Sequence, residues 1–127
     1  MKKIALFSVL ALCLSACDAP DVAKIDLKEG QRVSFNNVKS TKSYMATKDD
    51  MDRQYHFFAV NNDLNAVYKD FSQSFEKNGY KTIERKHDDA LIQAYYKKPN
   101  AALIVANFKK TENQPTATQT VISWVLN

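Results

Sequence analysis

The side chains able to do chemistry in this chain are few and scattered. There are two histidines, His56 and His87, and two cysteines, Cys13 and Cys17. His87 precedes Asp88 and Asp89, which could set an imidazole beside a carboxylate and raise its basicity. The same three residues also read as a solvated turn, where Asp bonds its own backbone. His56 stands between Tyr55 and Phe57, as an outward residue of an alternating strand or as a satisfied polar group of the core. Asn61-x-Asp63-x-Asn65 imitates the opening of a calcium loop. Its sixth position, however, is Ala66 instead of Gly, and its twelfth is Ser72 instead of a bidentate Glu. The segment serves better as a helix start. Asp49-Asp50-Met51-Asp52 gathers three carboxylates into a weak cation site or, more simply, a solvated acidic loop. There is no H-E-x-x-H, C-x-x-C or G-x-S-x-G, and two glycines, Gly30 and Gly79, are too few for a phosphate-cradling loop. No catalytic residue, metal site or cofactor is expected, and no ligand-binding residue stands out.

The elements that would position these groups are easier to read. A length of 127 residues bounds the chain to one domain. Leu64, Val67, Tyr68, Phe71 and Phe75 recur at helical spacing and form one apolar stripe, with Asn65, Lys69, Ser72 and Glu76 on the solvated face. Asn62 or Asp63 caps the start, and Asn78-Gly79 ends the helix because Gly reaches the left-handed conformation a terminus often needs. Strands are expected at 32–35, where alternation is weak, and at 55–60, an aromatic run that suits a buried strand. Four more follow the helix at 80–86, 90–97, 101–108 and 118–126, the first three linked by short connections. Residues 39–53, rich in Lys, Ser, Thr and Asp, read as an exposed loop. The expected architecture is α+β, a small two-layer domain with one amphipathic helix packed on an antiparallel β-meander.

The N-terminus is a separate matter. Met1-Lys2-Lys3 is a short positive segment, and residues 4–14 are apolar apart from Ser8 and Cys13. That stretch is too short for a permanent bilayer span and has the layout of a secretory signal. It continues as Leu14-Ser15-Ala16-Cys17, and residues 1–18 resemble a bacterial lipoprotein precursor with its lipobox. The resemblance implies cleavage between Ala16 and Cys17, a diacylglycerol thioether on Cys17 and acylation of the new amino terminus. Each buried CH₂ contributes about 0.8 kcal/mol, so two or three chains hold a protein durably where one does not. It also implies a bacterial cell-membrane location facing the periplasm. Asp18 after the lipidated cysteine favours inner-membrane retention in enteric-type bacteria, or it merely begins a polar tether. The expected organisation is a cleaved signal at 1–16, lipidated Cys17 with a tether at 17–31, and a globular domain at 32–127.

Processing alters the arithmetic. Loss of residues 1–16 removes Lys2 and Lys3 and lowers the formal charge from +4 to +2. Cys13 leaves with the signal and Cys17 is capped by lipid, so no disulfide can form even where one is permitted. Tyr95-Tyr96-Lys97-Lys98 interleaves rings with cations, a pattern that suits nucleic acid in the cytosol. In an exported protein it suits anionic headgroups or an acidic partner, together with Lys109 and Lys110, or a charged hairpin end that keeps the domain soluble. No nucleic-acid partner is expected.

Three functions stand ahead of an enzyme assembled from distant residues, which is the fourth reading. One is a non-catalytic envelope lipoprotein that binds another protein as an accessory or assembly module. Another is an immunity or exclusion lipoprotein that neutralises a toxin or a competing element. A small-ligand or lipid binder is the third, with Tyr55, Phe57, Phe58, Tyr95, Tyr96 and Trp124 lining a cleft or, more economically, filling the core.

Overall fold

The computed structural model describes residues 22–27, 32–36, 38–114 and 116–126. It has the expected α+β class, one helix packed on antiparallel strands. Strands β1 (Val22–Asp26), β2 (Arg32–Asn36), β3 (Lys39–Lys48) and β4 (Met51–Val60) precede helix α1 (Leu64–Lys77). Strands β5 (Lys81–His87), β6 (Leu91–Lys97), β7 (Ile104–Lys110) and β8 (Thr118–Val125) follow it. Six of them form one antiparallel sheet in the order β3-β4-β8-β7-β6-β5, and β1 and β2 pair separately. The last four strands are the expected meander. β4 joins it beside β8, and α1 carries the chain across to the far edge at β5.

The helix follows its stripe. Leu64, Val67, Phe71 and Phe75 are buried, and the Asp63 carboxylate accepts the Ala66 N–H at 2.8 Å to cap the first turn. At the other end Gly79 takes φ +88°, which lets the Tyr80 N–H turn back to the Phe75 carbonyl at 3.1 Å. Lys98 from the β6–β7 connection donates to the Asn78 carbonyl at 3.0 Å, a cation at the negative end of the helix dipole. Tyr80 is buried beneath it, its ring 5.5 Å from the Lys98 ammonium.

The core is a chain of rings between α1 and the sheet. Phe75 stacks on Tyr96 at 4.3 Å and Phe71 meets Phe108 edge-on at 5.5 Å. Phe35 of β2 stacks on Phe71 at 4.1 Å and touches Phe58 of β4 at 5.9 Å. The β1–β2 hairpin therefore lies beside α1, and the two together cover one face of the sheet.

Three expectations need correction. Residues 39–53 are not a loop but most of a long hairpin, β3 and the start of β4. Its tight turn is Asp49-Asp50, with φ of 54° and 61°, the left-handed pair that a two-residue hairpin requires. Residues 17–31 are not simply a tether, since β1 begins at Val22, and Ala23, Ile25 and the following Leu27 are buried against the core. In the 55–60 run only Phe58 and Val60 are fully buried, because the strand is covered on one side alone.

Candidate functional site

Strand alternation decides where every candidate side chain goes. His56 turns toward the covered face and not outward, half-buried, its ring stacked on Trp124 at 5.3 Å. Burial pushes its pKa down, and the charge of Asp26 in β1 pulls the other way. Asp49 and Asp50 form the hairpin turn, while the Asp52 carboxylate accepts from the Thr47 hydroxyl at 2.5 Å. No group of three metal-ligating side chains lies together among the described residues.

His87 finds its carboxylate at Glu84, three residues earlier across the β5 bulge, not at Asp88 or Asp89. Its Nδ1 is 2.9 Å from Glu84 Oε1, and its Nε2 is 2.9 Å from Asn65 Oδ1 at the start of α1. Asp88 instead accepts the N–H groups of Ala90 and Leu91, both at 2.9 Å, and those bonds hold its pKa below the usual carboxylate value. Along the same seam Ser72 shares a hydrogen bond of 2.9 Å with the Tyr96 hydroxyl, and Glu76 accepts from Thr82 at 2.8 Å. Burial, with Glu84 close by, pushes the Tyr68 phenol up to about 12, and burial also raises that of Tyr96. These phenols stay protonated at neutral pH, so Ser72 has hydroxyl neighbours where a nucleophile would need a base. The seam is a series of polar contacts tying α1 to β5 and β6.

A concavity of about 670 Å³ opens at one end of the sheet, where Lys39, Asn61, Gln114 and Gln119 face the β7–β8 connection. Its lining is amides, hydroxyls and short apolar groups, with Lys39 its one titratable residue. Nothing there resembles an acid–base pair.

The largest feature is the other face of the sheet. The registers put Lys42, Tyr44 and Lys48 of β3 beside Arg53, Tyr55 and Phe57 of β4. Val121 and Ser123 of β8, then Val105 and Asn107 of β7, continue the same face. Leu91, Gln93, Tyr95 and Lys97 of β6 follow beside Lys109 of β7, and Lys81, Ile83 and Lys86 of β5 are on the same face. Both α1 and the β1–β2 hairpin lie on the opposite side, so among the described residues no second layer covers this surface. Tyr44 stacks on Tyr55 at 5.2 Å and on Phe57 at 5.7 Å. The Lys42 ammonium lies 5.0 Å from the Tyr44 ring centre, and the Arg85 guanidinium 5.3 Å from that of Tyr95. Arg53 donates to the Ser123 hydroxyl at 3.1 Å.

The Tyr95-Tyr96-Lys97-Lys98 cluster is thus divided in two. Tyr95 and Lys97 join the open face, whereas Tyr96 is core and Lys98 caps the helix. The six aromatics considered for a cleft divide the same way. Tyr55, Phe57 and Tyr95 are on the open face, and Phe58, Tyr96 and Trp124 are buried on the covered one. The sequence pointed to Lys97 but missed Lys42, Tyr44 and Arg53, which lay inside the supposed loop. No polar–apolar alternation marks them, since Lys42, Tyr44 and Arg53 stand beside Ser43, Met45 and Gln54.

Cys17 and Asp18, and with them the signal segment at 1–16, lie outside the described residues. No described helix is long and apolar enough to cross a membrane. No protein-family model matches the chain, and no curated protein and no solved structure is similar to it.

Proposed function

We propose that this chain is a lipid-anchored envelope protein, a non-catalytic binding or assembly module that docks a protein partner on the open face of its sheet. One observation carries the docking site. A six-stranded sheet is covered by α1 and the β1–β2 hairpin on one side, while the other side presents Tyr44, Tyr55, Phe57 and Tyr95 amid cations. Tyr, Phe and Arg are the residues that binding interfaces favour, because rigid rings bury much area at small entropic cost. Five strand spacings and about seven residues of strand give a face on the order of 500–600 Å², at the boundary between a transient contact and one side of a specific interface.

The anchor supports the same reading. If Cys17 carries the lipid, residues 18–21 alone separate it from β1. Five residue steps of at most about 3.6 Å hold Val22 within roughly 18 Å of the acyl attachment. Such a short leash confines the partner to the membrane or its immediate surface.

The test is crosslinking and affinity purification of the C-terminally tagged lipoprotein from native envelopes, with mass spectrometry of the product. A near-stoichiometric protein supports the module, and its identity separates an assembly factor from the toxin of an immunity pair. Absence of any partner moves the weight to a ligand-binding role. Cys17→Ser is expected to release the chain from membranes while leaving the domain folded; full membrane retention of that variant would overturn the anchor.

A further inference from the structure

We infer that the partner's docking surface is a protein patch with an uncharged centre flanked by carboxylates on two opposite sides. This rests on the docking reading above and adds the chemistry of what docks. The open face is organised in stripes. Its centre, Val121 and Ser123 of β8 with Val105 and Asn107 of β7, is uncharged, and Lys109 of β7 stands at one end of it on the same face. On one side stand Lys42 and Lys48 of the edge strand β3 with Arg53 of β4, and on the other Lys97 of β6 with Lys81 and Lys86 of β5. No Asp or Glu of the described strands points to this face.

Four of the flanking lysines are unspent. The described ion pairs are Arg32 with Asp26, Lys86 with Asp88 and His87 with Glu84, and none uses Lys42, Lys48, Lys81 or Lys97. Lys42 and Arg85 lie against rings, not against carboxylates. Asp49 at the β3–β4 turn lines a concavity with Lys48 and Arg53, and elsewhere the face carries cations alone, a surface complementary to the opposite sign. The two edge-strand flanks are separated by four to five strand spacings, about 19–24 Å, which exceeds the screening length of about 8 Å at physiological salt. They act independently, so the partner needs a separate acidic group opposite each.

Two other occupants fit less well. A second copy would bring lysine against lysine, a repulsion at both flanks. An anionic bilayer would satisfy the lysines, but Val105 and Val121 at the centre of a flat sheet face cannot reach the acyl boundary without drawing the flanking lysines below the headgroups. A protein surface supplies both, an apolar centre and a charged rim.

The experiment uses the full lipoprotein in its native envelope and a carbodiimide, which joins an amine to a carboxylate only in direct contact. The expected products link Lys42 or Lys48, and separately Lys81 or Lys97, to Asp or Glu residues of one protein. The coupled carboxylates should lie about 19–24 Å apart on that protein. Lys42→Glu and Lys97→Glu should each slow association roughly tenfold at low salt, and less as salt rises. Lys69→Glu and Lys77→Glu, exposed on α1, should leave association unchanged. Replacing a coupled carboxylate of the partner by Lys should restore binding to the matching Lys→Glu variant. Circular dichroism and a thermal melt of each variant separate lost contact from lost fold.

Products confined to Lys69 or Lys77 would overturn the inference and leave a protein partner standing. The same holds if a longer amine-to-amine reagent captures a partner but the carbodiimide gives no product from the open face. No protein with either reagent would overturn the docking reading as well. In that case, protection of Lys42 and Lys97 from acylation in phosphatidylglycerol vesicles would assign the face to headgroups.

Discussion

Phe35 of β2 stacks nearly parallel on Phe71 of α1, with ring centres 4.1 Å apart and planes 15° apart. That contact joins the first hairpin to the helix over a sheet that neither would cover alone. Both rings are at most 2% exposed, and Phe71 also meets Phe58 and Phe108. Phe71→Ala should therefore cost about 3–5 kcal/mol, the usual loss for a buried ring whose cavity cannot collapse. Phe35→Ala should cost a similar amount. In a double-mutant cycle the pair should couple by about 0.5–1.5 kcal/mol beyond area burial, read from denaturant midpoints. Additive losses would show that the hairpin packs without help from this stack.

His56 gives the domain an acid-side dependence. Its pKa is lowered in the folded chain by burial beside Trp124, so folding favours the neutral ring. The unfolded chain binds a proton first as pH falls through about 6.5, and stability declines from there down to the folded pKa. His56→Phe should flatten that part of the stability–pH curve relative to the parent while keeping the ring stack. Urea midpoints between pH 4.5 and 8 measure it; identical slopes for the two proteins would contradict the burial argument.

The helix and the meander were legible because each declares itself within a few residues. Leu64, Val67, Phe71 and Phe75 fix a helical face, and Lys98-Pro99-Asn100 fixes a turn. The β3–β4 hairpin was not, for two physical reasons. Its turn is Asp-Asp, which reaches positive φ less readily than the Asn-Gly pair that signals such hairpins. Its outer strand is also an exposed edge, so Lys39–Lys48 carries polar residues on both faces and little apolar alternation. β1 was hidden by its brevity, with Ala23, Ile25 and Leu27 alternating too briefly against Lys24 and Asp26. The open face could not be read at all without register, since Tyr44, Tyr55 and Val121 become neighbours only through pairing across strands.

The same turn offers a gain. Asp49 and Asp50 both hold positive φ and place two carboxylates side by side in solvent. Asp49→Asn with Asp50→Gly supplies residues that reach this conformation more easily and removes the repulsion. The double variant should raise stability by about 1 kcal/mol, seen as a higher thermal midpoint. An unchanged midpoint would mean that the hairpin is held by β4–β8 pairing irrespective of its turn.

Tyr68 sets a limit at the alkaline end. Burial and the neighbouring Glu84 carry its phenol up to about 12, above the ordinary value near 10. The unfolded chain loses this proton first, so the contribution is whole below pH 10 and is lost as pH rises through 12. In an ultraviolet titration one late-ionising phenol should disappear in Tyr68→Phe. Its stability should also fall less steeply between pH 10 and 12 than that of the parent. A Tyr68 that ionises with the exposed tyrosines would remove it from the seam between α1 and β5.

Thr120 is the reverse case, a polar group that the core holds at a cost. It sits on the covered face of β8 at 1% exposure, opposite Phe58 on β4 and Phe108 on β7. Its hydroxyl makes no hydrogen bond, whereas the equally buried Thr118 donates to the Asn62 carbonyl at 2.9 Å. A buried hydroxyl stripped of partners loses about 1–3 kcal/mol of solvation, and a methyl of similar shape loses none. Thr120→Val should therefore stabilise the domain by about 1 kcal/mol, while Thr118→Val should destabilise it by a similar amount. Opposite responses of two threonines two residues apart would isolate hydrogen bonding from β-propensity, which both substitutions change alike. A loss of stability in both would mean that Thr120 is satisfied in solution by a bound water, and the predicted gain would be wrong.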